Sequence, residues 1–252
     1  MTAFIASYKG ELTKLLSRKK YMVFLIIGVV ICVIWAVLGL TIINLIGDFR
    51  NILLGFLPTP MGALPFFLQV MIPLLIFMGA TDLFTTEASE HTMKAMLYRP
   101  VERWKLYASK QAAILTYAVV YLLCIFAIST ILNQIVGRPL GIMELFRSFA
   151  AYMLTILPLG VLTSFAALVA ILGKSSTLTM FVLVVAYVVM NILPILFPVF
   201  TELLFTSFLG WHRLWIGMLP PASRLIQMFT IVASYGVVFF MGGSLLFDKK
   251  EY

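Results

Sequence analysis

Charge is scarce in this chain, and it is unevenly placed. Only 11% of its 252 residues are Asp, Glu, Lys or Arg, and 62% are hydrophobic; a typical soluble domain carries about 25% charged residues. An ordinary water-soluble globule is therefore excluded. Six windows hold no charge at all: Tyr21–Gly47, Asn51–Thr81, Gln111–Gly137, Ser148–Gly173, Ser175–Thr201 and Leu225–Phe247. Each meets or exceeds the ~20 apolar residues that cross a hydrocarbon core of about 30 Å. They are apolar on all faces rather than alternating, which excludes a membrane barrel.

Histidine and cysteine are nearly missing as well. His91 and His212 fall on opposite sides of a six-span chain, so they cannot share a metal, and no HExxH helix is present. Cys32 and Cys124 sit inside spans and read as small packing residues, silent about redox compartment. The span interiors lack Asp, Glu, Lys, Arg and His, which argues against an ion-coupled carrier or pump, since these keep ionisable groups in the bilayer. Gly173-Lys174-Ser175 resembles the end of a phosphate loop, but Leu168 stands where GxxxxGK[ST] needs glycine. Lys174 reads as a cytoplasmic anchor, and energy for directed work must come from a partner. The first apolar segment is too long for a cleavable leader and lacks a clean small-x-small site.

What is there is an all-α polytopic pattern forming one transmembrane domain. Spans are expected at about 21–46, 62–82, 111–136, 148–173, 176–200 and 225–247, behind an interfacial helix at 1–20. In that helix Phe4, Ile5, Tyr8, Leu12, Leu15 and Leu16 share one apolar arc, with Glu11 at its edge. Basic residues divide thirteen to five between the two sides, the larger share lying with both termini and the loops after spans two and four. The positive-inside rule then sets both termini in the cytoplasm and accounts for the net charge of +8 without nucleic acid. Between Thr201 and Arg224, Leu204, Phe208, Trp211 and Trp215 recur at helical steps until Pro220 and Pro221, as a re-entrant or interfacial element requires. Pro65, Pro73, Pro158, Pro194 and Pro198 mark spans two, four and five, where neighbouring groups must satisfy the freed carbonyls. Asn44, Gln69, Asn133, Gln134 and Asn191 are amides within spans, suited to interhelical hydrogen bonds; Asn44, Gln69, Asn133 and Asn191 are the candidates for lining a substrate path.

The long charged stretch, Asp82 to Lys110, is expected to lie in water between spans two and three. Ser89-Glu90-His91-Thr92 can cap a short helix that Pro100 ends. Met93, Met96 and Leu97 share one face of it, and Glu90 and Lys94 form an i, i+4 pair beside them. The frame Glu87, Thr92, Met93, Met96, Leu97, Pro100, Arg103 and Lys110 resembles the permeases of the ABC type-2 exporter class, the type V exporter fold. His91 replaces that family's usual Gly before the Thr. The motif covers about 24 residues, while the layout of interfacial helix, six spans and short outer loops resembles the family over the whole chain.

The resemblance implies a membrane subunit of an ATP-driven exporter with no catalytic residues of its own. It implies a coupling helix, formed here by Glu87, Glu90, His91, Thr92, Met93, Lys94, Met96, Leu97, Pro100 and Arg103, that docks a cytosolic ATP-binding cassette subunit. Two copies of that subunit would carry ATP and Mg, and this chain would bind no cofactor. A second permease protomer, as homo- or heterodimer, and a bacterial inner membrane are implied too. An apolar, ion-poor interior suits an amphipathic cargo: a peptide antibiotic, a drug or a lipid-linked molecule. The rival is a non-transporting membrane scaffold or sensor whose loop docks a cytosolic regulator.

Overall fold

Six helices are long and apolar enough to cross a membrane, and every element among the described residues is helical. A computed structural model describes residues 2–46, 59–90, 102–135, 140–215 and 221–250. Helix α1 (Thr2–Ser17) precedes α2 (Lys19–Ile46), α3 (Pro60–Ser89), α4 (Arg103–Ile135), α5 (Ile142–Leu172), α6 (Ser176–Leu196), the short α7 (Phe200–Leu203), a 3₁₀ helix (Phe205–Trp215) and α8 (Ala222–Lys249). The chain is a multi-pass, all-α membrane protein. Helices α3, α4 and α5 make the centre, and α2, α6 and α8 turn most of their apolar surface outward.

Proline shapes three of the spans. Thr59 caps α3 by accepting the Gly62 N–H at 3.0 Å, with Pro60 following at the start of the helix. Farther along, Pro73 cannot donate to the carbonyl of Gln69, and the Tyr187 hydroxyl of α6 donates to it instead at 3.0 Å. Pro194 likewise leaves the Met190 carbonyl open, and Thr206 Oγ1 donates to it at 3.3 Å. A neighbouring element thus supplies the donor that each proline withholds, as an apolar solvent demands. Helix α3 is further loosened by two π-helical segments, Phe67–Met71 and Thr81–Thr86. In α5 a break falls at Thr155, three residues before Pro158, where Thr155 Oγ1 turns back to the Tyr152 carbonyl at 2.7 Å. The turn from α5 to α6 is Gly173–Ser175, and a side chain at Gly173 would collide with Thr179. That tight turn explains the glycine.

Three expectations change. The stretch from Asp82 to Lys110 does not lie wholly in water: Asp82, Glu87 and Lys110 are buried, on α3 and α4 themselves. Ion pairing offsets the desolvation that would otherwise end those helices earlier. On α1 the buried line runs through Glu11 and Leu15, with Ser7 and Tyr8 bonding to α4, while Ile5 and Leu16 face outward. The apolar arc is therefore split between protein and surroundings, and its polar edge packs inward. Finally, Phe205–Trp215 winds as a 3₁₀ helix rather than an α-helix. At three residues per turn Phe205, Phe208 and Trp211 form one row, and Thr206, Leu209 and His212 a second. Both rows are buried, and Leu204 falls outside the helix.

Candidate functional site

At one end of the molecule the tails of α3, α5 and α8 meet α1 and the head of α4. Phe84 of α3, Tyr107 of α4 and Phe247 of α8 stack pairwise, with ring centroids 5.7–6.1 Å apart. The last carbonyls of α5, which have no partner within their own helix, receive donors from other elements. Thr85 Oγ1 bonds to Ala170 at 2.8 Å, and the Lys250 ammonium bonds to Ile171. Burial lowers the Lys250 pKa below that of a free lysine. Arg103 reaches across to the carbonyl of Asp248 at the end of α8.

Seven charged side chains tie α1 and the start of α2 to this end, in two clusters. In the first, Lys110 is fully buried, with its Nζ 2.5 Å from Glu87 and 3.3 Å from Glu11. Lys14 closes the square at 3.0 Å from Glu87 and 3.2 Å from Glu11. Two carboxylates and two ammoniums balance, which is the condition under which charges tolerate a low-dielectric site. In the second cluster Asp82 lies 2.5 Å from Lys20 and 3.1 Å from Arg18, and the Tyr21 hydroxyl donates to it at 2.8 Å. Lys20 and Arg18 are part-exposed, so this second group is worth less than the first. Among the described residues no group of three or more His, Cys, Asp or Glu is placed to hold an ion. The two clusters fix α1 and the start of α2 to the ends of α3 and α4.

The residues singled out for docking a partner divide three ways. Glu87 is buried inside the first cluster, and Arg103 is tied to α8. Glu90 ends α3, its N–H bonded to the Thr86 carbonyl at 2.9 Å, and is exposed. His91, Thr92, Met93, Lys94, Met96, Leu97 and Pro100 lie outside the described residues. Next to that segment the Lys105 ammonium and the Trp104 indole N–H hydrogen-bond to Glu102 and hold its carboxyl below the usual carboxylate range.

Two of the four amides proposed for a path come together. Gln69 and Asn191 are linked through Tyr187, whose hydroxyl bonds to the Gln69 carbonyl and whose own carbonyl accepts from Asn191 Nδ2 at 2.8 Å. The Gln69 side chain is exposed on α3. Asn133 is buried two residues before the end of α4, and the Asn44 side chain lies outside the described residues. Sequence reasoning missed Glu11, Lys14, Arg18, Lys20 and Asp82 as internal partners. The available signal was Glu11 at the edge of an apolar arc, together with the oppositely charged Glu87 and Lys110 flanking one loop.

No curated protein sequence matches the chain. The family described as "ABC-2 family transporter protein" does match, over residues 9–191. That match begins inside α1, takes in the buried Glu11–Lys14–Glu87–Lys110 cluster, and ends near the foot of α6. It covers well over half of the residues, and this six-span membrane protein belongs to the ABC-2 transporter family.

Proposed function

We propose that this chain is the membrane-spanning subunit of an ATP-driven exporter of the type V fold, worked by a separate cytosolic ATP-binding cassette subunit through residues 90–97. One observation carries the reading. In a chain of the ABC-2 family, residues 91–101 join α3 to α4 at the end where α1, α5 and α8 are also bonded together. A push on that segment reaches four spans at once, the condition for a rigid-body change between two packings. This end faces the cytoplasm of a bacterial cell by the positive-inside count. The protein works as a dimer with two ATPase copies that bind ATP and Mg. Leu178, Val182, Val185, Val189, Ile192 and Leu196 support the dimer: they form an exposed apolar seam on α6 at alternating steps of four and three, the spacing of packed helices. Gln69 is exposed on α3 and is joined to α6 through the Tyr187 hydroxyl, and an amphipathic cargo passes between protomers.

The element before α8 re-enters the membrane in this reading. Its support is depth: the Phe205 ring lies 5.5 Å from that of Phe239, which stands 17 residues into α8 from Ala222, or about 26 Å along the helix.

The test is the paired change Met96→Asp and Leu97→Asp, which puts two charges at the centre of an apolar contact, where most binding energy is held. The expected result is loss of the ATPase from pull-downs and loss of export, with normal yield of folded permease; Lys94→Ala, at the rim, weakens association far less. A double variant that retains its ATPase overturns the reading. Retention of some other cytosolic protein, with no ATPase bound to the native chain, favours the scaffold.

A further inference from the structure

Where α3 reaches the ion clusters it is wound as a π-helix, over Thr81–Thr86. A π turn closes from i to i+5 and so holds one residue more than an α turn; such bulges are rare and fall frequently at functional sites. Five side chains in a row, Thr81–Thr85, are buried here, and three of them are tied to different elements. Asp82 reaches Arg18, Lys20 and Tyr21. Phe84 packs on Tyr107 and Phe247. Thr85 Oγ1 donates to the Ala170 carbonyl of α5 at 2.8 Å. Just past the turn, Glu87 lies between Lys14 and Lys110. Five residues of regular α-helix would place Asp82 and Glu87 about 140° apart around the axis. The wider turn brings them toward one side, so that one helix end serves both clusters.

Within the turn, Thr86 Oγ1 donates to the Thr81 carbonyl, five residues back, at 3.2 Å. The other ties come from neighbouring elements. If the spare residue joined the regular helix, everything on one side of it would advance by about 1.5 Å and turn by about 100°. The upstream side is not free to take up that motion, because Ile72–Ala80 is packed in the core, with Leu75, Ile76 and Phe77 at most 1% exposed. The downstream side is freer, since Ser89 and Glu90 are exposed. Glu87 would then swing out from between Lys14 and Lys110, and the square would lose one of its two carboxylates.

Winding and ion pairing are therefore one equilibrium. We propose that Thr81–Thr86 is a conformational switch. Wound as π-helix, it seats Glu87 in the four-charge square and fixes α1; rewound as α-helix, it withdraws Glu87 and turns the chain that leads into residues 91–101. The switch stands on α3 and its partners alone; that a cytosolic ATPase throws it rests on the exporter reading.

The experiment uses the full-length protein in lipid nanodiscs, with Cys32 and Cys124 replaced and nitroxide labels on Ser89→Cys and Lys174→Cys. Lys174 is exposed on the turn that follows α5, the helix to which Thr85 is bonded, and supplies the fixed reference. Dipolar electron spin resonance reads the distance between the labels. A turn of about 100° at the rim of a helix about 11 Å across moves a label by up to about 8 Å. Native protein is expected to show one main distance. Glu87→Gln weakens the charge-assisted bonds to Lys14 and Lys110 and should raise the population of a second distance about tenfold. Thr85→Val, which frees the Ala170 carbonyl, should raise the same one. Deleting Thr86 removes the spare residue, and Glu87→Gln in that background should keep the native distance alone. Rewinding also shifts each residue by one place, so the second distance from Ala88→Cys should equal the first from Ser89→Cys. Glu87→Gln and Thr85→Val proteins that show only the native distance overturn the proposal. So does a second distance that survives the deletion, which would be a frayed helix end. If the deletion variant does not fold, the comparison of Ala88 with Ser89 decides, and a mismatch there has the same force. None of these measurements involves an ATPase. A second distance in a chain that binds no ATPase leaves the exporter reading to fail alone, and a bound ATPase with no second distance leaves the switch to fail alone.

Discussion

Changing Lys110 to Met tests the buried four-charge square directly. Met keeps most of the stem of the side chain, so the change removes a charge with little change in volume. Among the described residues Glu11 and Glu87, exposed 3% and 4%, would then share Lys14. Removing one partner of a buried pair costs about 3–5 kcal/mol, because the other charge is left uncompensated. For a chain of this size that corresponds to a fall of about 6–20 °C in melting temperature, at roughly 2–4 °C per kcal/mol. Glu87→Gln added to Lys110→Met leaves Glu11 facing Lys14 in balance. The double variant should therefore recover to within about 1–2 kcal/mol of native, a coupling within the range for residues in one ion network. The assay is the fraction of detergent-solubilised protein that remains monodisperse after heating, for native, both single variants and the double. A Lys110→Met protein that melts within about 2 °C of native, with no recovery in the double, would show that the square contributes nothing and that α1 is held by its apolar contacts alone.

Three further outcomes are expected. Gly28→Ala places a methyl against the Tyr121 hydroxyl, an overpacking that costs about 1–3 kcal/mol; Tyr121→Phe should relieve it, because that buried hydroxyl has no partner among the described residues. Tyr187→Phe and Thr206→Val each strip the donor from a carbonyl opened by proline. Each should lower stability by about 1–3 kcal/mol, the cost of an unsatisfied buried group, as read by thermal unfolding. With Cys32 and Cys124 replaced, single cysteines at Ser89 and Lys174 should resist an impermeant thiol reagent in intact cells while one at Gly210 reacts; labelling of Ser89 from outside reverses the orientation.

The six spans were legible because hydrocarbon imposes one strong rule, length without charge, and the charge-free windows obey it. The need to satisfy carbonyls opposite proline was legible too, although the donors were not. Tyr187 lies 118 residues from Gln69, and nothing local links them. The span ends were harder to read. Asp82, Glu87 and Lys110 look like water-facing residues one at a time and become internal only as a balanced set, completed by α1 from the far end of the sequence. The apolar period of α1 indicated an amphipathic helix but not which edge packs, since Ser7, Tyr8 and Glu11 find partners in α4. The 3₁₀ winding was hidden by aromatics that fit both periods. Leu204, Phe208 and Trp211 satisfy steps of four and three, while Phe205, Phe208 and Trp211 satisfy steps of three, and only packing against Phe165 and Phe239 decides between them.

That winding makes the element a ruler. Eleven residues at three per turn reach about 22 Å, against about 16 Å for the same residues as an α-helix. Rewinding would draw its two ends together by about a full α-turn. It would also carry Trp211 some 120° around the axis from Phe205, since six residues make two whole turns of one helix and one and two-thirds of the other. Length and burial are therefore one variable here: the segment cannot shorten while both rings stay covered, and whatever seats Phe205 and Trp211 also sets the distance from α7 to the head of α8.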